Sequence, residues 1–280
     1  MKKVTSISGG KTSAYLAANY QSDFNVFALV RTSDLSCKYP DEFLRKKVED
    51  RIQKPFIGTL EDDIIIQTIF ELEQFIGKEI HWVSGLTYDE VVEKKGGWLP
   101  NKLHRYCTTW LKLDPIFYWW AEVIGEPIQM QLGFRANEVS RANRMLKKVN
   151  ANGLLEYKAT FEKNKRGQNK WQEVEWQAPC FPLIENRIFK TDIEKYWADK
   201  PVPFARLNNC VGCFHRNPIL LRKMYEGHPN KMEWFAKQEE VKGRGNWRSD
   251  VAYRKIINSN LQQEISFDEF TDCDSGYCGF

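Results

Sequence analysis

Residues 4–20 constrain the fold more strongly than any other part of the chain. A short run of apolar and β-branched residues ends at Ile7, Gly9 and Gly10 follow, and an alanine-rich segment begins at Ala14. This order predicts a strand, a glycine turn and a helix that begins in the turn. Such a helix start presents free backbone N–H groups and the positive end of the helix dipole to an anion. The segment therefore predicts an α/β fold with an anion site after the first strand.

The side chains of this loop favour phosphate as the anion. Adjacent glycines let the backbone approach a ligand closely, Lys11 adds a mobile positive charge, and the loop hydroxyls donate hydrogen bonds. We therefore predict a phosphate cradle formed by Ser8, Gly9, Gly10, Lys11, Thr12 and Ser13. The alternative is an ordinary strand-to-helix connection capped by Ser or Thr. A Walker loop does not fit, because Thr5 stands where that motif has its first glycine.

Composition limits the class of protein. The chain has 280 residues, of which 42% are hydrophobic and 14% aromatic, so it is long and apolar enough for a sizeable core. A formal net charge of +4 is too small to indicate a nucleic-acid partner by itself. No run approaches the roughly 20 apolar residues of a membrane span, and we expect a cytoplasmic protein. Seven cysteines without a secretion signal favour metal ligation or thiol chemistry over disulfides.

Strands and helices alternate along the first half of the chain. Residues 25–30, 80–83 and 128–132 have the pattern of strands, and residues 61–76 have that of a helix. Another helix is expected to open at Pro40, which acidic residues follow. Together these elements predict a parallel sheet with helices on both faces. Ligands of such sheets bind at the carboxyl ends of the strands.

A basic segment precedes Pro115. We expect a helix to start at Pro115 with Asp114 as its N-cap. Arg105 and Lys112, on either side of Cys107, suit an anionic substrate and would lower the pKa of a reactive Cys107 thiol. The alternative is a solvated basic loop around a buried structural cysteine.

A second charged motif follows the strand at 128–132. Arg135 and Arg141 carry guanidinium groups, which bind phosphate or sulfate through paired hydrogen bonds. Glu138 is spaced to pair with either arginine and hold it in place. Ordinary surface ion pairs are the alternative.

These three motifs resemble signatures of the PP-loop (N-type ATP pyrophosphatase) superfamily, especially its phosphoadenosine phosphosulfate (PAPS) reductase-like branch. The loop is similar to Ser-Gly-Gly-x-Asp-Ser, with Thr12 in place of Asp. The second motif resembles Arg-x-Cys-Thr-x-x-Leu-Lys and matches at Arg105, Cys107, Thr108, Leu111 and Lys112. The third resembles Gly-x-Arg-x-x-Glu-Ser-x-Arg and matches at Gly133, Arg135, Glu138 and Arg141.

The resemblance implies a Rossmann-like, adenine nucleotide α-hydrolase-like domain. It implies an enzyme that binds ATP, with Mg²⁺, adenylates a substrate with release of pyrophosphate, and transfers sulfur to a nucleic acid such as tRNA or DNA. It implies nucleotide contacts from Thr32, Gly133, Arg135, Glu138 and Arg141. It implies catalytic roles for Lys11, Arg105, Cys107, Lys112 and Arg135. One alternative is a PAPS or APS reductase, in which a Cys thiolate attacks sulfur; another is a nucleotide- or nucleic-acid-binding module without catalysis.

The second half of the chain is predicted to contain a hairpin and then a mostly helical region. The pattern divides the chain into a nucleotide-binding α/β domain (1–146), a β-hairpin insertion (147–179) and a C-terminal region (180–280). The basic hairpin tip, 163–170, lies between aromatic residues and predicts contact with nucleic acid. A solvated tip is the alternative.

The cysteines of the C-terminal region predict a metal site. Four thiolates would hold Zn²⁺ or a [4Fe–4S] cluster. The predicted ligands are Cys210, Cys213, Cys273 and Cys278. Cys107 or Cys180 are alternative ligands, and free buried thiols are the alternative to a metal.

Overall fold

A single sheet of six strands organises the protein, and the computed structural model describes residues 1–208 and 210–260. The strands are β1 (Lys3–Ile7), β2 (Phe24–Ala28), β3 (Ile80–Val83), β4 (Ile128–Gln131), β5 (Leu155–Lys163) and β6 (Asn169–Cys180). Their order is β3-β2-β1-β4-β6-β5, and all neighbours are parallel except β5 and β6. The predicted α/β fold is confirmed.

Helices cover both faces of the sheet and continue past it toward the C-terminus. They are α1 (Lys11–Asn19), α2 (Glu42–Ile52), α3 (Ile64–Ile76), α4 (Tyr88–Lys94), α5 (Tyr106–Thr108), α6 (Asp114–Val123), α7 (Val139–Leu146), α8 (Pro182–Glu185), α9 (Lys190–Trp197), α10 (Pro218–Gly227), α11 (Pro229–Glu240) and α12 (Tyr253–Asn258). Short 3₁₀ turns lie at Leu35–Cys37 and Ala136–Glu138. The predicted strand 80–83 and the helix that opens after Pro40 are both present.

The two faces of the sheet bury separate apolar cores, because successive strand residues point to opposite sides. Val26 packs on one face with Met130 and Trp120. Its neighbour Phe27 packs on the other face with Leu16. Almost every residue of β1 and β2 is buried, as expected for parallel strands covered on both sides.

A third core joins the C-terminal helices to the rest of the protein. Trp234 and Trp247 from the C-terminal part pack in one cluster with Val30, Tyr88 and Leu111. Val30 follows β2, and Tyr88 begins α4. This shared core holds residues 210–216 beside the basic segment that precedes α6. The domain boundaries at 146 and 179 remain a prediction.

The helix expected from Pro115 is present as α6, but the predicted N-cap at Asp114 is wrong. The chain is helical from Tyr106 onward, because α5 continues through a π-helical turn (Thr109–Leu113) directly into α6. Asp114 is therefore not an N-cap; its carboxylate accepts a hydrogen bond from the Tyr157 hydroxyl. Pro115 has no backbone N–H to donate to the preceding turn, and the π-helical turn lies directly before Asp114 and Pro115. The basic segment is thus partly a helix rather than a loop.

The order of the strands creates a crevice at the carboxyl ends of β1 and β4. From β1 the chain moves to β2 and β3 on one side, whereas β4 lies on the other side of β1. The connections that leave β1 and β4 therefore diverge, and such a switch point is where open α/β sheets bind ligands. The cradle residues follow β1, and Gly133 and Arg135 follow β4.

The predicted β-hairpin is also present. Strands β5 and β6 pair antiparallel along most of their length and extend the edge of the sheet. Their outer ends are exposed, including the aromatic side chains of Phe161 and Trp171. In the parts of the chain that the structure describes, no helix is long and apolar enough to cross a membrane.

Candidate nucleotide site and cysteine cavity

The cradle, residues 8–13, is held in shape by its own polar groups. The backbone N–H of Ser8 donates to Ser13 Oγ (3.0 Å), and Ser13 Oγ donates to the Gly10 carbonyl (3.1 Å). Asn208 Nδ2 donates to Ser8 Oγ (3.1 Å) from a distant part of the chain. These bonds fix the loop before any ligand binds.

The two glycines that flank the crevice are required by close contacts. Gly9 has a φ of 80°, and a Cβ at this position would lie 2.5 Å from Ile65 Cγ2. A Cβ on Gly133 would lie 3.3 Å from Thr12 Cγ2 and 3.5 Å from the Ser13 backbone N. The segment after β4 therefore packs directly against the start of α1.

The helix start presents a mixed surface. Thr12 and Ser13 are buried, whereas Lys11 is exposed at the first position of α1. Trp197 Nε1 donates to the Lys11 carbonyl (3.0 Å) and so fixes the backbone but leaves the ammonium group mobile. Lys11 is positioned to reach an anion that rests on the N-terminus of α1.

Glu138 organises the two arginines after β4, as the sequence predicts. Its Oε2 accepts from Arg135 Nε (3.1 Å), and its Oε1 accepts from Arg141 Nη1 (3.0 Å). The Arg141 guanidinium also lies 4.2 Å from the centre of the Phe134 ring. The arginines are held in fixed orientations at the β4 side of the crevice.

The Thr32 hydroxyl group forms its hydrogen bond with α4 and not with the cradle. Thr32 is buried after β2, and its Oγ1 donates to Asp89 Oδ2 (2.7 Å) on α4. The adjacent Arg31 donates to Ser84 Oγ and to the Pro55 and Gly85 carbonyls, each at 2.7 Å. These contacts give both residues a structural task, and nucleotide contact by Thr32 stays a prediction.

Lys112 connects the basic segment with a residue that sequence reasoning missed. Its Nζ lies 2.9 Å from Oε1 of Glu61, whose side chain is only 1% exposed. Glu61 also pairs with Cys210 through an isolated backbone bridge, and Lys231 Nζ donates to its carbonyl (2.6 Å). The Glu61 Oε2 atom is buried and has no hydrogen-bond partner among the described residues. No local signal marked Glu61, because its partners lie 51 and 170 residues away.

Three cysteines line a small cavity, which we call the cysteine cavity. Cys107, Cys210 and Cys213 surround a volume of about 50 Å³, together with His215 and Arg105. Cys107 is thus a neighbour of the Cys-x-x-Cys pair, as one of the sequence alternatives required. Cys180 lies at the end of β6 and does not line this cavity.

Burial raises the pKa of two thiols of the cysteine cavity, those of Cys107 and Cys210. Burial raises the pKa of Cys107 to about 11, with a further contribution from Cys213, and outweighs the opposite effect of Arg105. Burial, followed by Glu61, raises the pKa of Cys210 well above its ordinary value, which Lys112 only partly offsets. The expectation that Arg105 and Lys112 make Cys107 acidic is therefore wrong. His215 is neutral, since burial and then Arg105 lower its pKa to about 4.

The donor atoms suit a soft metal, but the described residues do not assemble a complete site. Thiolates favour zinc or an iron–sulfur cluster, and His215 Nε2 is buried with no hydrogen-bond partner in the described ranges. Within residues 1–208 and 210–260, no group of three His, Cys, Asp or Glu side chains is arranged to hold a metal ion. The predicted ligands Cys273 and Cys278 lie outside the described residues.

Two side chains, Thr108 and Lys112, lie between the cradle and the cysteine cavity. A second small cavity, of about 20 Å³, is lined by Ser8 of the cradle together with Thr108 and Lys112. Thr108 and Lys112 also line the cysteine cavity. The basic segment is therefore the wall between the two places.

Comparisons with known proteins assign no family to the chain. No family model matches the chain, and no curated protein matches it in sequence. Among solved structures, the chain is similar to a PAPS reductase from Candida auris, solved as a phosphate complex. That similarity covers 73% of this chain and 75% of the other, with 11% sequence identity and a TM-score of 0.36. At this level of similarity, a functional proposal depends on the geometry of the site itself.

Proposed function

We propose that this protein is an adenine-nucleotide-dependent enzyme that activates an acceptor by adenylation. The observation that carries the proposal is the preformed cradle at the switch point of the sheet. It combines a helix N-terminus, a glycine in the left-handed region and a mobile lysine, and the wall beside it carries Lys112. Backbone N–H groups and cations in this arrangement bind the polyphosphate of a nucleotide.

The chemistry follows from where the phosphates would lie. With the β- and γ-phosphates on the cradle, an acceptor oxygen attacks the α-phosphorus, the bond from that phosphorus to the bridging oxygen breaks, and pyrophosphate leaves. The acceptor then carries an adenylate. Lys11, Arg105, Lys112 and Arg135 would neutralise the charge that develops on the phosphate oxygens, and Mg²⁺ would accompany ATP as part of the substrate.

Sulfur transfer is the second part of the proposal. Cys210 and Cys213, with Cys107, Cys273 or Cys278, would hold a zinc ion or an iron–sulfur cluster, which would supply a sulfur nucleophile that displaces AMP from the adenylated acceptor. The shared wall of Thr108 and Lys112 supports this idea because it separates the cysteine cavity from the cradle by only one segment. The alternative, a sulfonucleotide reductase, requires a free thiolate nucleophile. The raised pKa of Cys107 works against that reaction.

Nucleotide binding is tested by thermal unfolding with ATP or PAPS. A ligand at about a hundred times its Kd raises the free energy of unfolding by about 2.7 kcal/mol. We expect ATP to stabilise the protein and Gly9→Ala to abolish the effect, because its Cβ would lie 2.5 Å from Ile65 Cγ2. The matched control is Gly77→Ala, which has a similar positive φ of 61° and no atom within 4 Å of the added Cβ.

The outcomes separate the candidate functions. Release of pyrophosphate from ATP in the presence of nucleic acid supports adenylation, whereas release of sulfite from PAPS would establish the reductase instead. If neither nucleotide changes the melting temperature of the wild-type protein, the nucleotide proposal fails. Anaerobic purification then tests the metal: iron with sulfide indicates a cluster, and one zinc per chain indicates a structural site.

A further inference from the structure

An open basin lies next to the cysteine cavity, on the other side of Arg105. It has a volume of about 730 Å³ and lies between the end of α4, the segment that leads into α5, and Lys148 after α7. The cysteine cavity, in comparison, has a volume of about 50 Å³. We call this feature the outer basin. Its size suits a ligand much larger than a single metal ion or a sulfate.

The outer basin is lined by positive charge. Lys95, Arg105 and Lys148 contribute to its wall, and no Asp or Glu belongs to the described lining. In the part of the chain that the structure describes, none of these three cations forms an ion pair with a carboxylate. Arg105 Nε is, in addition, buried without a hydrogen-bond partner among those residues. The uncompensated charge favours an anionic ligand.

The outer basin also presents an exposed aromatic ring. Trp98 is 67% exposed, although Trp is highly buried on average in folded proteins. Tyr106, close by, donates a hydrogen bond to the Trp98 carbonyl and so anchors the backbone beneath the ring. Lys95 Nζ lies 4.5 Å from the centre of the Trp110 ring. An exposed ring among cations is the combination that binds single-stranded nucleic acid by stacking and charge.

The outer basin leads to the proposed reaction site. Arg105 and Thr108 line both the basin and the cysteine cavity, and Thr108 also lines the small cavity at Ser8. Thr108 is therefore the point at which the cradle side, the cysteine side and the basin meet. A chain that lies in the basin would place one of its nucleotides at this point.

We propose that the outer basin binds a single-stranded nucleic-acid segment, the acceptor of the reaction. The role of the nucleic acid as acceptor rests on the proposed function. The binding site itself is inferred only from the positive charge and the exposed Trp98 ring. It places nucleic-acid contact at Lys95, Trp98 and Lys148 rather than at the hairpin tip, 163–170. At the tip's edge, Lys170 is paired with Glu162 at 3.5 Å.

The test is fluorescence anisotropy of a labelled single-stranded oligonucleotide of about 15 nucleotides, the upper range of one binding site. Both a DNA and an RNA probe are titrated with the full chain. Trp98→Ala is expected to weaken binding about tenfold through loss of stacking. Lys148→Gln is expected to weaken binding and to reduce the slope of log K against log salt by about 0.7, the value for one lost phosphate contact.

Two controls make the result decisive. Lys46→Gln removes an exposed lysine of α2 and should leave the probe affinity unchanged. The double variant Lys165→Gln/Arg166→Gln removes charge from the hairpin tip. If only this double variant weakens binding, or if wild-type protein does not bind either probe, the basin proposal is overturned. The ATP-dependent melting shift is recorded for every variant, so failure of the nucleotide proposal shows as a lost shift in wild-type protein while probe binding persists.

Discussion

The cradle and the cysteine cavity are neighbours, but their polar groups differ in how many hydrogen bonds they form within the protein. In the cradle, Ser8, Gly10 and Ser13 bond to one another, with Asn208 completing the network. At the cysteine cavity, buried atoms of Arg105 and His215 have no hydrogen-bond partner within the described ranges. A buried polar group without a partner costs free energy, and binding of a ligand or ion is one way in which such a group gains a partner. Hydrogen bonds within the protein hold the cradle in shape, whereas Arg105 and His215 at the cavity each keep a nitrogen atom that could bond to a ligand.

The largest loss of stability is expected at Lys112, which lies between the cradle and the cysteine cavity. Lys112→Met removes one partner of the buried pair with Glu61, and we expect the free energy of unfolding to fall by about 4 kcal/mol. Urea denaturation measures this change. The double variant Lys112→Met/Glu61→Gln should recover a large part of the loss, because no unpaired charge is left behind. Equal stabilities of the single and double variants would show that the pair does not couple.

The wall of the cysteine cavity should tolerate added volume poorly. A Cβ on Gly212 would lie 2.3 Å from Phe235 Cδ2 in the third core, and we expect Gly212→Ala to cost about 3 kcal/mol. Gly227→Ala is the matched control, since no atom lies within 4 Å of the Cβ it adds. Thermal melts of both variants test the comparison. A similar melting temperature for the two would mean that residues 210–213 are loosely packed.

Removing the Lys11 charge should lower the affinity for ATP without lowering the stability of the protein. Lys11→Gln is expected to raise the Kd for ATP about tenfold, equivalent to roughly 1.4 kcal/mol. The melting temperature without nucleotide should not change, because Lys11 is exposed. Isothermal titration of wild-type protein, Lys11→Gln and the control Lys46→Gln provides the measurement. An unchanged Kd would remove Lys11 from the nucleotide site.

The smallest effect is expected inside the cradle network. Ser13→Ala removes an acceptor for the Ser8 N–H and a donor to the Gly10 carbonyl, and we expect a loss of about 1 kcal/mol in stability. Ser22→Ala, which removes a partly buried hydroxyl outside the cradle that is bonded to Asn25 and Lys78, is the comparison variant. Differential scanning calorimetry detects the difference. If Ser13→Ala is neutral, the loop is not preorganised by its side chains.

Local patterns in the sequence were sufficient to predict the sheet and the strand, turn and helix that carry residues 8–13. Glycines, β-branched runs and residues typical of helix starts act over a few positions, so the strand at 80–83 and the helix after Pro40 are found where they were expected. Glu61 shows the limit of this approach. Its role depends on Lys112 and Cys210, which only the packing of the third core brings together.

Burial changed the chemistry that spacing alone suggested. Arg105 stands two positions from Cys107, which indicates an acidic thiol, but burial raises the pKa of Cys107 to about 11 instead. The close packing of Thr12 against Gly133 was also beyond sequence reasoning, because it depends on how β1 and β4 adjoin. Such effects require the tertiary structure.

The π-helical turn at Thr109–Leu113 makes the orientation of the residues before it sensitive to deletion. A π turn contains one residue more than an α turn, and each residue rotates a helix by about 100°. Loss of any single residue here would let the helix close into a regular α form. Arg105, Cys107 and Thr108 would then rotate together relative to α6, away from both neighbours. The length of this short segment keeps cradle, cavity and basin in register.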